Sequence, residues 1–285
     1  MGRKALIIQP GGNAFRLNLA EIWQYRDLLG MYIRRDIVTF YKQTILGPLW
    51  FFIQPILTTI IFMFVFGGLA GIPTDGIPQP LFYLAGITLW NYFSESLTKT
   101  SDTFISNQSV FGKVYFPRMI VPLSITITGL VKMGIQLILF AAVYLWFFLS
   151  NSSPSSVSPN VFCLLSPVLI FLLGALGLGF GLIISSLTTK YRDLRFLITF
   201  GVQLWMYATP VIYPLSMMEG KYHKFMWIIK ANPLTAILET FKYGFLGAGT
   251  FSWGALAYSA VFTLAVLLIG TFIFNRVERS FMDVV

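Results

Sequence analysis

Charge is scarce in this chain: Asp, Glu, Lys and Arg make up 11% of its 285 residues. A soluble domain of ordinary composition carries about 25%. Cysteine occurs once, at Cys163, and histidine once, at His223. One cysteine excludes an intramolecular disulfide and a cysteine cluster for metal. One histidine leaves no Ser-His-Asp set with a second base in reserve. The G-x-x-x-x-G-K-[ST] loop that cradles nucleotide phosphates is missing, as are H-E-x-x-H and C-x-x-C. Catalysis of covalent chemistry by this chain is therefore not expected, and no metal or cofactor site is assigned to it.

Apolar residues are what the chain has instead, at 56% hydrophobic and 17% aromatic. The fold expected is an all-α membrane protein with six transmembrane helices, near Leu49–Leu69, Leu81–Thr98, Ile120–Leu149, Val161–Leu187, Phe196–Tyr213 and Trp253–Phe274. The brief apolar stretch Ala5–Ile8 is too short for a signal peptide. Positive residues sort by side. Arg3, Lys4, Arg16, Arg26, Arg34, Arg35 and Lys42 precede the first span. Lys99, Lys113 and Arg118 follow the second; Lys190, Arg192 and Arg195 follow the fourth; Arg276 and Arg279 follow the sixth. The opposite side holds Lys221, Lys224, Lys230 and Lys242. This bias places both termini in the cytoplasm of a multi-pass protein. It also accounts for the net charge of +9 without nucleic acid as a partner. Lys132, inside the third span, is expected to snorkel from a span that starts near Thr128.

Three segments follow: a cytoplasmic N-terminus over 1–48, the membrane domain over 49–275 and a cytoplasmic tail over 276–285. Within the first, Leu19–Gln43 reads as an amphipathic interface helix, with Ile22, Leu29, Ile33, Ile37 and Phe40 at three- and four-residue spacings. Its apolar side would lie in membrane lipid, either as a topological anchor or as a gate.

The second span carries the clearest polar pattern. Thr88, Asn91, Glu95, Thr98 and Asp102 share one helix face, which must meet another helix or a wet passage. Glu95 either lines that passage or pairs with Lys99 one turn on. Weaker polar and aromatic faces run along Trp50, Gln54 and Thr58 in the first span and Thr199, Gln203 and Tyr207 in the fifth. Packing explains such residues as readily as a translocation path. Gly174, Gly177, Gly179 and Gly181 predict close helix approach in the fourth span. Between spans five and six, Pro214–Trp253 reads as short re-entrant helices forming an outer lid, with a plain outer loop as the alternative.

Four local patterns occur in order within this frame. They are Tyr41-Lys42-Gln43-Thr44-Ile45-Leu46-Gly47-Pro48-Leu49-Trp50 with Gln54-Pro55; Asn107–Lys113 running into Val114-Tyr115-Phe116-Pro117-Arg118; Tyr191-Arg192-Asp193-Leu194-Arg195; and Asn232-Pro233-Leu234-Thr235. Together they resemble the permease subunits of type-2 ABC exporters for O-antigen, capsule and teichoic-acid polymers. Gly112 departs from the pattern, which places a basic residue beside Lys113. The resemblance implies export of an undecaprenyl diphosphate-linked polysaccharide across the bacterial cytoplasmic (inner) membrane. It implies a permease homodimer with two copies of a separate ATPase, which would bind the ATP and magnesium. It further implies that the helix bearing Arg34, Arg35 and Asp36 docks on the ATPase. Asn107, Lys113, Phe116, Pro117 and Arg118 would hold the coupling helix, and Asn232 and Pro233 an outer gate. A type-2 ABC exporter of a drug or lipid is the alternative, which would show a closed apolar pocket in place of a polar and aromatic tunnel. An ion-coupled transporter would want more buried acids than Glu95.

Overall fold

The computed structural model describes residues 19–42, 45–150, 158–191, 193–221 and 223–281. Gln43, Thr44 and Arg192 of the family-like patterns, the first 18 residues and the last four lie outside that description. Every regular element among the described residues is helical.

The amphipathic segment is two helices, α1 (Leu19–Gln24) and α2 (Arg26–Tyr41), not one. Tyr25 breaks it at φ −97°. Its apolar side does not simply face lipid, as expected. Ile22, Tyr25, Leu28 and Leu29 pack on a cluster built from Phe104, Phe111, Phe116 and Ile120. These aromatic side chains, which precede the third span, give the helix a protein surface to dock on. Trp23 and Met31 remain exposed.

The first span, Gly47–Leu69, opens with a 3₁₀ turn, continues as α3 (Trp50–Phe62) and ends in a π-helical stretch, Met63–Leu69. Next come α4 (Gln79–Ser101), the short α5 (Thr103–Ser106) and α6 (Gln108–Phe111), then α7 (Ile120–Leu149), α8 (Ser166–Thr188) and α9 (Leu194–Tyr207). Three short helices follow, α10 (Leu215–Lys221), α11 (Met226–Ala231) and α12 (Pro233–Leu246), before α13 (Trp253–Phe281) closes the chain.

Four of these segments are long and apolar enough to cross a membrane: Gly47–Leu69, Ile120–Leu149, Val161–Thr188 and Trp253–Glu278. The expected second and fifth spans differ in kind. At 23 residues α4 has the length, but Asn91, Glu95 and Lys99 interrupt its apolar surface. α9 stops after 14 residues, a rise of about 21 Å against a hydrocarbon core of ~30 Å. It ends at Tyr207 because Ala208–Ile212 turns inward, where Thr209 and Val211 are fully buried.

α4 is the centre of the molecule. It packs on α3, α7, α8, α9 and α12, and every residue from Leu81 to Trp90 is buried. Helix α8 meets it along a groove of glycines, as the sequence predicts. A side chain at Gly174 would run into the Tyr92 hydroxyl, one at Gly177 would lie 2.9 Å from the Phe93 carbonyl, and one at Gly181 would lie 2.5 Å from Thr100 Cβ. Gly179 points elsewhere, 2.9 Å from Leu267 N of α13. Small residues thus let α8 approach two helices at backbone distance.

Candidate functional site: a charged junction beneath α2

The polar face of α4 divides on folding. Thr88 is buried against neighbouring helices, whereas Asn91, Glu95 and Thr98 stay half-accessible. Glu95 accepts hydrogen bonds from both Lys132 of α7 and Lys99, the latter at 2.5 Å. The anticipated Glu95–Lys99 pair forms, with a second cation that spacing alone could not place. Lys132 does not snorkel. It is 9% exposed, within a helix that begins at Ile120, and its ammonium lies 3.7 Å from the centre of the Phe40 ring of α2. Phe51 of α3 also faces it, and Phe40 meets Phe51 edge to face at 5.4 Å. The Lys132 ammonium thus meets a carboxylate on one side and ring faces on the other.

Glu95, Lys99, Lys132 and Phe40 line a half-open cavity of about 370 Å³ between α2, α4 and α7. From α2 come Arg35, Asp36, Thr39 and Phe40; from α7, Ile125, Thr128, Gly129 and Lys132. Arg35 pairs with Asp36 at 2.7 Å and its guanidinium sits over the Tyr32 ring at 4.4 Å. Arg34 is exposed on the neighbouring face. Among the described residues, no three His, Cys, Asp or Glu side chains converge to hold a metal.

The weaker polar faces do not join this junction. Trp50 and Gln54 on α3, and Thr199, Gln203 and Tyr207 on α9, lie on the outside of the single chain. Thr58 donates to the Gln54 carbonyl and Thr199 to the Arg195 carbonyl, each within its own helix. Both helices flank α4.

Ahead of the third span, Asn107 lies between α5 and α6 and donates to the Thr103 carbonyl at 2.9 Å. Two of the residues expected to contact an ATPase point inward. Arg118 is 5% exposed; its guanidinium donates to the Glu278 carbonyl of α13 at 2.8 Å, and its backbone amide to the Glu278 carboxylate at 3.2 Å. Burial lowers the Arg118 pKa, with Glu278 opposing that shift. Phe116 is buried between Tyr32 and Phe111, and Pro117 is half-buried. The exposed tip is Lys113, Val114 and Tyr115. Nearby, Arg195 of the Tyr-Arg-Asp-Leu-Arg pattern reaches Asp102 at 2.9 Å, tying the foot of α9 to that of α4.

On the opposite side, Asn232 caps α12: its side-chain oxygen accepts from Leu234 N, with Pro233 in the first turn. Its amide nitrogen donates to the Ala208 carbonyl and the Thr209 hydroxyl. The pair is a joint between α9 and α12. Sequence reading missed the buried partners further along α12. Lys242, 1% exposed, donates to the Pro210 carbonyl at 2.5 Å, lies 3.9 Å from the Phe82 ring centre and 3.8 Å from Glu239, itself 2% exposed. The available signal was an acid and a base three residues apart inside the apolar run Leu234–Leu246.

Comparison with known proteins agrees with this architecture. The family model for ABC-2 type transporters matches residues 28–246. The chain is 28% identical over 262 residues to an O-antigen export system permease protein RfbA of Klebsiella pneumoniae, covering 90% of this chain and 95% of that protein. It is 26% identical over 227 residues to an RfbA of Myxococcus xanthus, covering 78% and 81%. It is 22% identical over 249 residues to the polysialic acid transport protein KpsM of Escherichia coli, covering 87% and 92%. With a helical bundle around a polar central helix, and the family pattern running across most of its length, this chain belongs to the membrane subunits of the ABC-2 type transporters.

Proposed function

We propose that this chain is the permease subunit of an ATP-driven exporter, moving an undecaprenyl diphosphate-linked polysaccharide such as O-antigen outward across the bacterial cytoplasmic membrane. The observation that carries this reading is the near end-to-end match to O-antigen export permeases. In it, α4 and α9 complete six crossings within the bundle, since α4 is shielded from lipid by its neighbours and α9 continues into the buried turn 208–212. Both termini lie in the cytoplasm. Two copies enclose the passage, with Trp50, Gln54, Thr58, Thr199, Gln203 and Tyr207 on the surfaces that meet across it. Thr58 is half-buried and the other five are exposed in the single chain, where Trp50 and Tyr207 offer rings on which sugars can slide.

Two copies of a separate ATPase bind ATP and magnesium and push on Lys113, Val114 and Tyr115. Arg118 and Phe116 transmit that motion to α13 and α2, because their contacts run to those helices. The joint at Asn232 and Pro233 holds the short outer helices as a re-entrant lid over the exit.

The test is complementation. A strain lacking its own O-antigen permease receives this chain with and without a partner ABC ATPase, and surface polymer is measured. Surface polymer restored only when both proteins are present is expected. Polymer retained inside the cell, together with extrusion of a hydrophobic dye, would replace this reading with a drug exporter.

A further inference from the structure

The junction beneath α2 is a poor candidate for a purely structural ion pair. Three cations, Arg35, Lys99 and Lys132, face two carboxylates, Asp36 and Glu95, across a cavity of about 370 Å³. One positive charge is left over in a space walled by Phe40 and the α7 backbone. Both ammonium groups converge on the same Glu95 oxygen, Oε1, so each retains donor capacity toward the cavity.

The geometry points to a phosphate-type anion site at this junction, in which Lys99, Lys132 and Arg35 bind the anion and Glu95 gathers the two ammonium groups until it arrives. Clustered ammonium and guanidinium groups favour an oxyanion with several acceptor oxygens over a single carboxylate. The cavity exceeds the volume of a diphosphate and leaves room for atoms attached to it. Its position under an amphipathic helix, at the end of the bundle rich in Lys and Arg, makes a lipid headgroup one source of the anion and free phosphate the other. Assigning the headgroup to a lipid-linked sugar rests on the export reading; the anion site itself does not.

The full-length permease in detergent is titrated with inorganic pyrophosphate, with undecaprenyl diphosphate and with undecaprenol, reading heat of binding. Saturable binding of both phosphate compounds and none of undecaprenol is expected. Lys132→Met should weaken it about tenfold, the loss of one charge-assisted contact. Glu95→Gln should tighten it several-fold, because the internal carboxylate no longer competes. Tightening in the Glu95→Gln protein also shows that loss of the pair has not unfolded it. Undecaprenyl diphosphate binding more tightly than pyrophosphate assigns the site to a headgroup; equal affinities assign it to the free anion. Absence of saturable phosphate binding in the native permease, or binding indifferent to both substitutions, overturns the site. Export by the same preparation would then leave the export reading standing.

Discussion

Replacing Lys242 by Met removes an ammonium from one of the driest places in the molecule. Lys242 and Glu239 are 1% and 2% exposed, with 3.8 Å between the charged atoms. At an effective dielectric near 20, that separation corresponds to about 4 kcal/mol of attraction, offset by the cost of desolvating both groups. The single substitution forfeits the attraction while leaving the Glu239 carboxylate buried, and it strips the Pro210 carbonyl of the Lys242 donor. Breaking a buried pair from one side costs roughly 3–5 kcal/mol. Changing both partners, Lys242→Met with Glu239→Gln, removes the stranded charge while the amide can still accept from Thr250 N, as Glu239 does at 3.2 Å. That pair should cost only about 1–3 kcal/mol, the price of the orphaned Pro210 carbonyl. At roughly 2–4 °C per kcal/mol, the single variant should lose about 10 °C in thermal midpoint and the double variant about half of that. Permease in detergent is heated in steps and the surviving monodisperse fraction measured by size exclusion. A single variant as stable as the parent, or a double variant worse than the single, would refute the account of Lys242 as a counter-ion and carbonyl donor.

Glycine offers a contrast of sign. Gly181→Ala presses a methyl group against Thr100 Cβ and the Leu97 carbonyl and should destabilise by about 1–3 kcal/mol, whereas Gly30→Ala in α2 meets open space and should stabilise by up to about 1 kcal/mol; the same heating assay reads both. Lys113→Glu should weaken copurification of the ATPase without lowering the thermal midpoint, because Lys113 is exposed; Arg118→Met should lower the midpoint through its lost bond to Glu278. Burial lifts the Asp102 carboxyl above its ordinary range against the opposing pull of Arg195. A folded-state pKa above the unfolded value means that ionised Asp102 costs stability at neutral pH, a cost that fades as pH falls and the carboxyl takes its proton. Asp102→Asn should therefore raise the midpoint at pH 7, with the difference narrowing toward about pH 4; a lower midpoint at pH 7 would count against it.

How much of this was legible in the chain varies with the physics involved. Long apolar runs announced four crossings directly, because lipid solvation is read from composition alone. The glycines of α8 were equally plain, since nothing else explains so many gaps on one helix. The three- and four-residue rhythm of Thr88, Asn91, Glu95 and Thr98 marked the right face but could not say that Thr88 would be buried while Glu95 stayed accessible; that depends on where α7 and α8 cross α4. Lys132 was misjudged for a similar reason. A lysine in a span reads as snorkelling until a carboxylate 37 residues earlier in the chain is known to be its partner. Arg118 looked like a surface contact because charge normally points outward, and only the distant Glu278 turns it in. Residues that act through long-range partners leave no local rhythm, and the buried Glu239–Lys242 pair was overlooked on the same account.

The central position of α4 bears on how the chain is made. A helix carrying Asn91, Glu95 and Lys99 gains little by partitioning alone from the translocon into acyl chains. Its carboxylate finds Lys132 only when α7 has been synthesised, and its tightly packed side finds Gly174, Gly177 and Gly181 only with α8. Nascent chains halted before α7 therefore carry this carboxylate without its distant cation, a cost that only the later helix removes.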